Sequence, residues 1–209
     1  MMNRRAMLLL LLSAAAVSPA AAQQVYETQR GAVRLETVAR GLGSPWSLAF
    51  LPDGRMLVTE LAGQLRVVSQ DGQISEPVSG LPEVSARGQG GLLDVVLHPQ
   101  FDTTRLIFMS FAEPREGGNA TSVMRARLSD DARRVDAVEV IFRQQPATDG
   151  GHHFGSRLVF DRTGALFVTT GDRNKLRSLV QQTDNHIGKI IRITEDGGVP
   201  ADNPKVEGW

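Results

Sequence analysis

The chain has 209 residues, 41% of them hydrophobic and 22% charged, which is ordinary globular usage and enough for one domain or a modest two. Its 23 basic and 23 acidic side chains cancel, so no excess charge recommends nucleic acid or an anionic membrane as partner. The lack of cysteine excludes disulfides, thiolate catalysis, iron–sulfur clusters and cysteine zinc sites, though it does not exclude export.

Residues 1–22 read as a cleavable signal peptide. Arg4 and Arg5 give a positive start, an apolar stretch follows, and Ala20-Ala21-Ala22 supplies small residues for cleavage before Gln23. The apolar stretch is shorter than the roughly 20 residues a membrane span needs, so no stable membrane insertion is expected. The mature protein, residues 23–209, is expected in the periplasm or outside the cell, by general secretion or by the twin-arginine route.

Beyond Gln23 the strand candidates are short and frequent. They fall at 35–38, 46–50, 56–60, 64–68, 92–97, 106–112, 122–128, 139–143, 158–160, 166–170 and 189–193. Several are continuous apolar runs, the pattern of strands covered on both faces. Between them stand Pro52-Asp53-Gly54, Gln70-Asp71-Gly72, Arg162-Thr163-Gly164 and Asp196-Gly197-Gly198, all turn chemistry. No long amphipathic helix is apparent, and 172–185 reads as an irregular or partly helical loop.

The chain repeats itself. Leu48-Ala49-Phe50, Pro52-Asp53-Gly54 and Met56-Leu57-Val58-Thr59 read as strand, turn, strand, and Leu158-Val159-Phe160, Thr163-Gly164 and Leu166-Phe167-Val168-Thr169 repeat the phrase. A looser copy starts at Val95, and the offsets of about 47 and about 63 residues suit propeller blades with loop insertions. The expected fold is therefore all-β, a β-propeller. At roughly 45–60 residues a blade the mature chain holds about three, where propellers close with about four to eight. An open array leaves a terminal face and its strand edges uncovered, so the chain is read as the first half of a longer propeller.

Four phrases stand out in order. They are 41–54 (Gly41-Leu42-Gly43-Ser44-Pro45-Trp46 onward); Gly88-Gln89-Gly90-Gly91-Leu92-Leu93-Asp94 with His98-Pro99; Gly151-His152-His153-Phe154-Gly155-Ser156-Arg157; and Gly171-Asp172-Arg173 with Gly188-Lys189 and Pro200-Ala201-Asp202-Asn203-Pro204. Together they resemble the soluble aldose sugar dehydrogenases that use pyrroloquinoline quinone (PQQ), of the glucose/sorbosone dehydrogenase family. The resemblance implies a six-bladed propeller with the cofactor at one end of its channel. It also implies oxidation of the anomeric hydroxyl of an aldose to a lactone, with electrons passed to an external acceptor.

The resemblance places the catalytic base at His153. A neutral imidazole is a good base near pH 7 for a hydroxyl whose carbon gives up hydride, and flanking glycines let backbone approach a planar ligand. On the residues alone, a strand-edge histidine bonding a carbonyl is the competing reading. Gln89 and His152 match positions near cofactor and sugar. Gln89 could equally satisfy its own glycine turn, and His152 departs from the acidic residue of the glucose-oxidising branch. Arg173 is expected to meet a cofactor carboxylate or bound sugar, or else to form an internal ion pair. Arg157 reads as structural, His98 as a turn cap before Pro99, and His186 as a surface-loop residue. The family's calcium implies oxygen ligands beyond residue 209, so no metal ligand is assigned in this chain. Two other classes remain open: a non-catalytic binding propeller, and a metal-dependent propeller lactonase.

Overall fold

The computed structural model describes residues 24–205, so the expected signal peptide lies outside the described residues. They divide into two units, an N-terminal piece ending at Thr37 and a main body from Val38. The first unit is a hairpin of β1 (Gln24–Thr28) and β2 (Gly31–Leu35), exposed along both strands. Its turn is closed by the Thr28 hydroxyl donating to the Gly31 carbonyl at 2.7 Å. The strand expected at 35–38 is displaced: pairing stops at Leu35, and the polar run Glu27-Thr28-Gln29-Arg30 hid the hairpin before it.

The main body is three antiparallel sheets. The first contains β3 (Pro45–Phe50), β4 (Met56–Glu60) and β5 (Gln64–Val68). The second contains β6 (Leu92–Leu97), β7 (Leu106–Arg115), β8 (Gly118–Leu128) and β9 (Val135–Arg143), with a one-turn helix α1 (Phe101–Thr104) between β6 and β7. The third contains β10 (Gly155–Phe160), β11 (Leu166–Thr170) and β12 (Ile190–Ile193), with a single 3₁₀ turn at Arg177–Leu179 in the loop before β12. Within each sheet the strands pair in chain order, and the first strands of successive sheets lie side by side, β3 against β6 and β6 against β10. These are blades of a partial β-propeller, as expected.

The repeated turns have one mechanism. Asp53 Oδ1 accepts the Arg55 N–H at 3.0 Å, and Asp161 Oδ1 accepts the N–H groups of Thr163 and Ala165 at 2.7 and 3.0 Å. Gly54 and Gly164 then take φ of +83° and +87°, which an L-residue adopts only with strain. In the looser copy the turn is replaced by α1.

Period-two alternation builds the cores. On β7, Ile107, Met109 and Phe111 face the first blade, while Phe108 faces the third. On β8, Met124, Ala126 and Leu128 join the first core and Val123 the second. The middle blade is thus covered on both faces, which is why Leu106–Met109 of β7 are apolar in succession rather than alternating with polar residues. β9 runs from Val135 rather than 139 because register shifts in its pairing with β8 break the alternation.

Phe108 is 0% exposed and packs edge-on against Phe160 at 4.9 Å between ring centroids, bridging the second and third blades. Replacing it by alanine is expected to cost about 3–5 kcal/mol in urea unfolding of the chain. A loss below about 1 kcal/mol would show that the two blades do not depend on this contact.

Candidate active site

Three loops meet at one end of the blades. Residues 85–91 lead into β6, residues 150–154 lead into β10, and residues 171–174 leave β11. Their glycines are imposed by backbone contact. A Cβ on Gly88 would come within 2.4 Å of the Gly151 carbonyl oxygen, and one on Gly171 within 1.8 Å of the His153 carbonyl oxygen. The approach at Gly88 lets the Gln89 N–H donate to the Gly151 carbonyl at 2.7 Å.

His153 sits where the three loops converge. Its φ is +51°, a left-handed conformation that costs a non-glycine residue roughly 1–2 kcal/mol and that is met at functional sites. The side chain is 44% exposed, and Nδ1 lies 2.7 Å from Asp172 Oδ1. Its backbone N–H donates to Gln89 Oε1 at 2.8 Å. Asp172 Oδ1 also accepts the Asn174 N–H at 2.8 Å, and Arg177 Nε stands 3.8 Å from Oδ2. The Asn174 N–H, then the His153 hydrogen bond, hold the Asp172 carboxyl below the usual carboxylate value. The carboxylate is therefore ionised at neutral pH, and the tautomer it favours is the one that donates Nδ1–H to it and keeps a lone pair on Nε2.

The Gln89 side-chain carbonyl oxygen does not close its own glycine turn; it accepts the His153 N–H of the loop before β10. Among the described residues its side-chain N–H groups have no hydrogen-bond partner. His152 is exposed, and its imidazole makes no hydrogen bond or ion pair among the described residues. The structure brings Gln89 and His153 together, and His152 is exposed beside them in the chain.

Arg173 belongs to the same cluster but turns inward. It is 2% exposed, donates to the carbonyls of His152, Asn119 and Gly150 and to Asn119 Oδ1, and lies 4.1 Å over the Phe154 ring. The internal ion pair with Asp172 is not formed, because the Asp172 carboxylate is turned to His153. Arg157 is structural, pairing with the buried Asp94 at 3.0 Å. His98 caps its turn by accepting the Gln100 N–H at 3.1 Å on Nδ1. His186, expected on a surface loop, is half-buried against Phe142, where Nδ1 accepts the Gln145 N–H; burial lowers its pKa.

Asp172 as the partner of His153, and Asn119 as the partner of Arg173, were not singled out from sequence. Asp172 lies 19 residues from His153, a spacing that neither strand nor helix period connects. Among the described residues no group of three or more His, Asp or Glu could hold a metal ion, and no helix is long and apolar enough to cross a membrane. Two crevices of about 430 and 520 Å³, around Asp130 and around Ile74, share no residue with the cluster.

Residues 42–208 match the family described as Glucose / Sorbosone dehydrogenase. The chain belongs to this family. It is 45% identical over 177 residues to the aldose sugar dehydrogenase YliI of Escherichia coli K12, a match covering 84% of this chain and 47% of that protein. The crystal structure of the soluble aldose sugar dehydrogenase of Escherichia coli in its apo form superposes with a TM-score of 0.79 at 45% identity, over 83% of this chain and 51% of that one. The PQQ-bound aldose sugar dehydrogenase of Streptomyces coelicolor superposes with a TM-score of 0.74 at 28% identity, over 90% and 53%. The chain thus spans about half the length of the relatives it matches.

Because the Asp172 pKa is lowered, first by the Asn174 N–H and then by His153, these contacts stabilise the fold above the ordinary carboxylate range, and that stabilisation is lost as pH falls through the lowered value. In ¹³C NMR the Asp172 carboxyl is expected to titrate with a midpoint below the reference 3.8. A midpoint above it would mean that the Asn174 and His153 donors do not together favour the carboxylate.

Proposed function

We propose that these residues are the base-bearing part of a PQQ-dependent sugar dehydrogenase that oxidises the anomeric hydroxyl of aldoses to lactones, with His153 as the general base. One observation carries the reading: an exposed imidazole whose Nδ1–H is held by an ionised carboxylate, so that Nε2 is free to take a proton. Family membership and the names of the relatives point to the same chemistry.

The residues present suit one wall of a planar site. The glycine loops offer flat backbone, Gln89 and His152 offer side-chain groups without hydrogen-bond partners among the described residues, and His153 stands among them. The sugar hydroxyl proton passes to His153 Nε2 while the anomeric carbon gives up hydride and its C–O bond becomes a carbonyl. Bound quinone supplies the hydride-accepting chemistry. Asp172 holds the ring and stabilises the imidazolium as it forms, without itself taking the proton. Gln89 holds the His153 backbone and orients the sugar with its free N–H donors. Arg173 would support the same wall from behind through its hydrogen bonds to the His152 and Gly150 carbonyls. The family resemblance puts the oxygen ligands of calcium beyond residue 209. The N-terminal 22 residues would deliver the protein to the periplasm, where an external acceptor takes the electrons.

The test is aldose-dependent reduction of an artificial dye, with PQQ and calcium, by this chain and, where the reading frame continues past Trp209, by the longer product. Sugar-dependent reduction that needs PQQ supports the reading, and His153→Gln should then lower kcat by about 10²–10⁴-fold. A folded protein that binds sugar without reducing dye would be a binding propeller, and near-normal turnover of His153→Gln would remove His153 as the base.

A further inference from the structure

Arg173 is a buried cation whose hydrogen-bond partners among the described residues are all neutral. Its guanidinium meets four oxygens: Nε donates to the His152 carbonyl at 3.1 Å, Nη1 to the Asn119 carbonyl at 2.8 Å, and Nη2 to Asn119 Oδ1 at 2.6 Å and to the Gly150 carbonyl at 3.0 Å. Burial, with the Arg115 charge nearby, lowers its pKa to about 10, so it stays charged at neutral pH. A buried charge held by neutral acceptors is costly, and a site needing only bulk would be met by an uncharged side chain.

The fork does something no neutral side chain does. It gathers the start of β8 and two carbonyls of the loop before β10 into one plane. The Arg173 backbone N–H donates in addition to the His153 carbonyl at 3.3 Å. The peptide units on both sides of His153 are thereby fixed by one residue. The unit between His152 and His153 is gripped at both edges, its carbonyl by Arg173 Nε and its N–H by Gln89 Oε1. A left-handed histidine persists only where its surroundings over-determine it, and these contacts are the over-determination.

We propose that Arg173 is a positioning residue for His153, locking the left-handed backbone that aims the imidazole at Asp172. Its value for catalysis rests on the proton-transfer reading above, but its geometry does not. Lysine at this position keeps the charge yet presents a single point, which cannot span the four oxygens.

The experiment is ¹⁵N NMR of the imidazole groups in the folded chain, comparing wild type with Arg173→Lys. The chain has 4 histidines, so each ring is assignable by its own His→Gln variant. Wild type is expected to show His153 as the Nδ1–H tautomer with a slowly exchanging Nδ1 proton. Arg173→Lys should lose both features. His98, held by Glu195 at 2.7 Å at the opposite end of β6, should keep its wild-type signals and report that the fold is intact. If Arg173→Lys does not fold, Asn119→Ser removes the Oδ1 acceptor while leaving the guanidinium in place, and should weaken the same features. A wild-type His153 signature in folded Arg173→Lys, or in Asn119→Ser where Arg173→Lys does not fold, overturns the proposal. The readout needs no sugar or quinone, so failure of the dehydrogenase assay leaves it standing, and its own failure leaves the dehydrogenase reading untouched.

Discussion

One carboxylate ties the blades together. Asp94 on β6 is 0% exposed, and its two oxygens serve all three blades: Oδ1 accepts from Ser47 Oγ of β3 at 2.6 Å and from Arg157 of β10 at 3.0 Å, and Oδ2 accepts the Leu158 N–H at 2.7 Å. Apolar contact between blades is non-directional and would tolerate sliding of one sheet over the next. A buried acceptor with four donors would not, because each shift leaves a polar group unpaired at about 1–3 kcal/mol. Neighbouring bonds repeat the device. Thr59 Oγ1 of the first blade donates to the Leu93 carbonyl at 2.6 Å, and Ser110 Oγ of the second to the Ser156 carbonyl at 2.8 Å. The hydrophobic cores make the blades adhere, and this polar seam sets where they stop.

The site inherits its precision from that seam. Leu92 begins β6 two residues before Asp94, and Gln89 lies just ahead of it; His153 comes just before β10, whose Leu158 is held by Asp94. Fixing β6 against β10 therefore fixes Gln89 against His153, and the 2.8 Å bond between them follows. At this end of the blades three backbones approach too closely for any Cβ, which explains glycine at 88, 151 and 171 by contact.

Much of this was legible in the sequence, and the limits have physical causes. Strands β4, β5, β6 and β11 fall where their apolar runs and bounding turns put them, because burial and turn chemistry are local signals. β1 was missed because an exposed hairpin has no hydrophobic face to read. The glycine phrases marked the loops that converge, and the histidine singled out between them lies where they meet. The direction of a side chain was not legible. Arg173 follows Asp172 directly, and a charged pair of that kind in a loop gives no sign of which member faces outward.

The backbone decides that question. Arg173 and Asn174 are both left-handed, with φ of +54° and +61°. Two such residues in succession turn the chain sharply, so Asp172 faces the outer side and Arg173 the interior, with opposite charges on opposite sides of one strand of backbone. Asp172 is then free to hold the exposed imidazole, and its charge is set by N–H donors rather than by the arginine next to it in sequence. Had the two side chains paired, each would have neutralised the other, and His153 would have lost both the anion on its ring and the cation under its backbone. The separation of two adjacent charges is what lets one loop act on the same histidine from two directions.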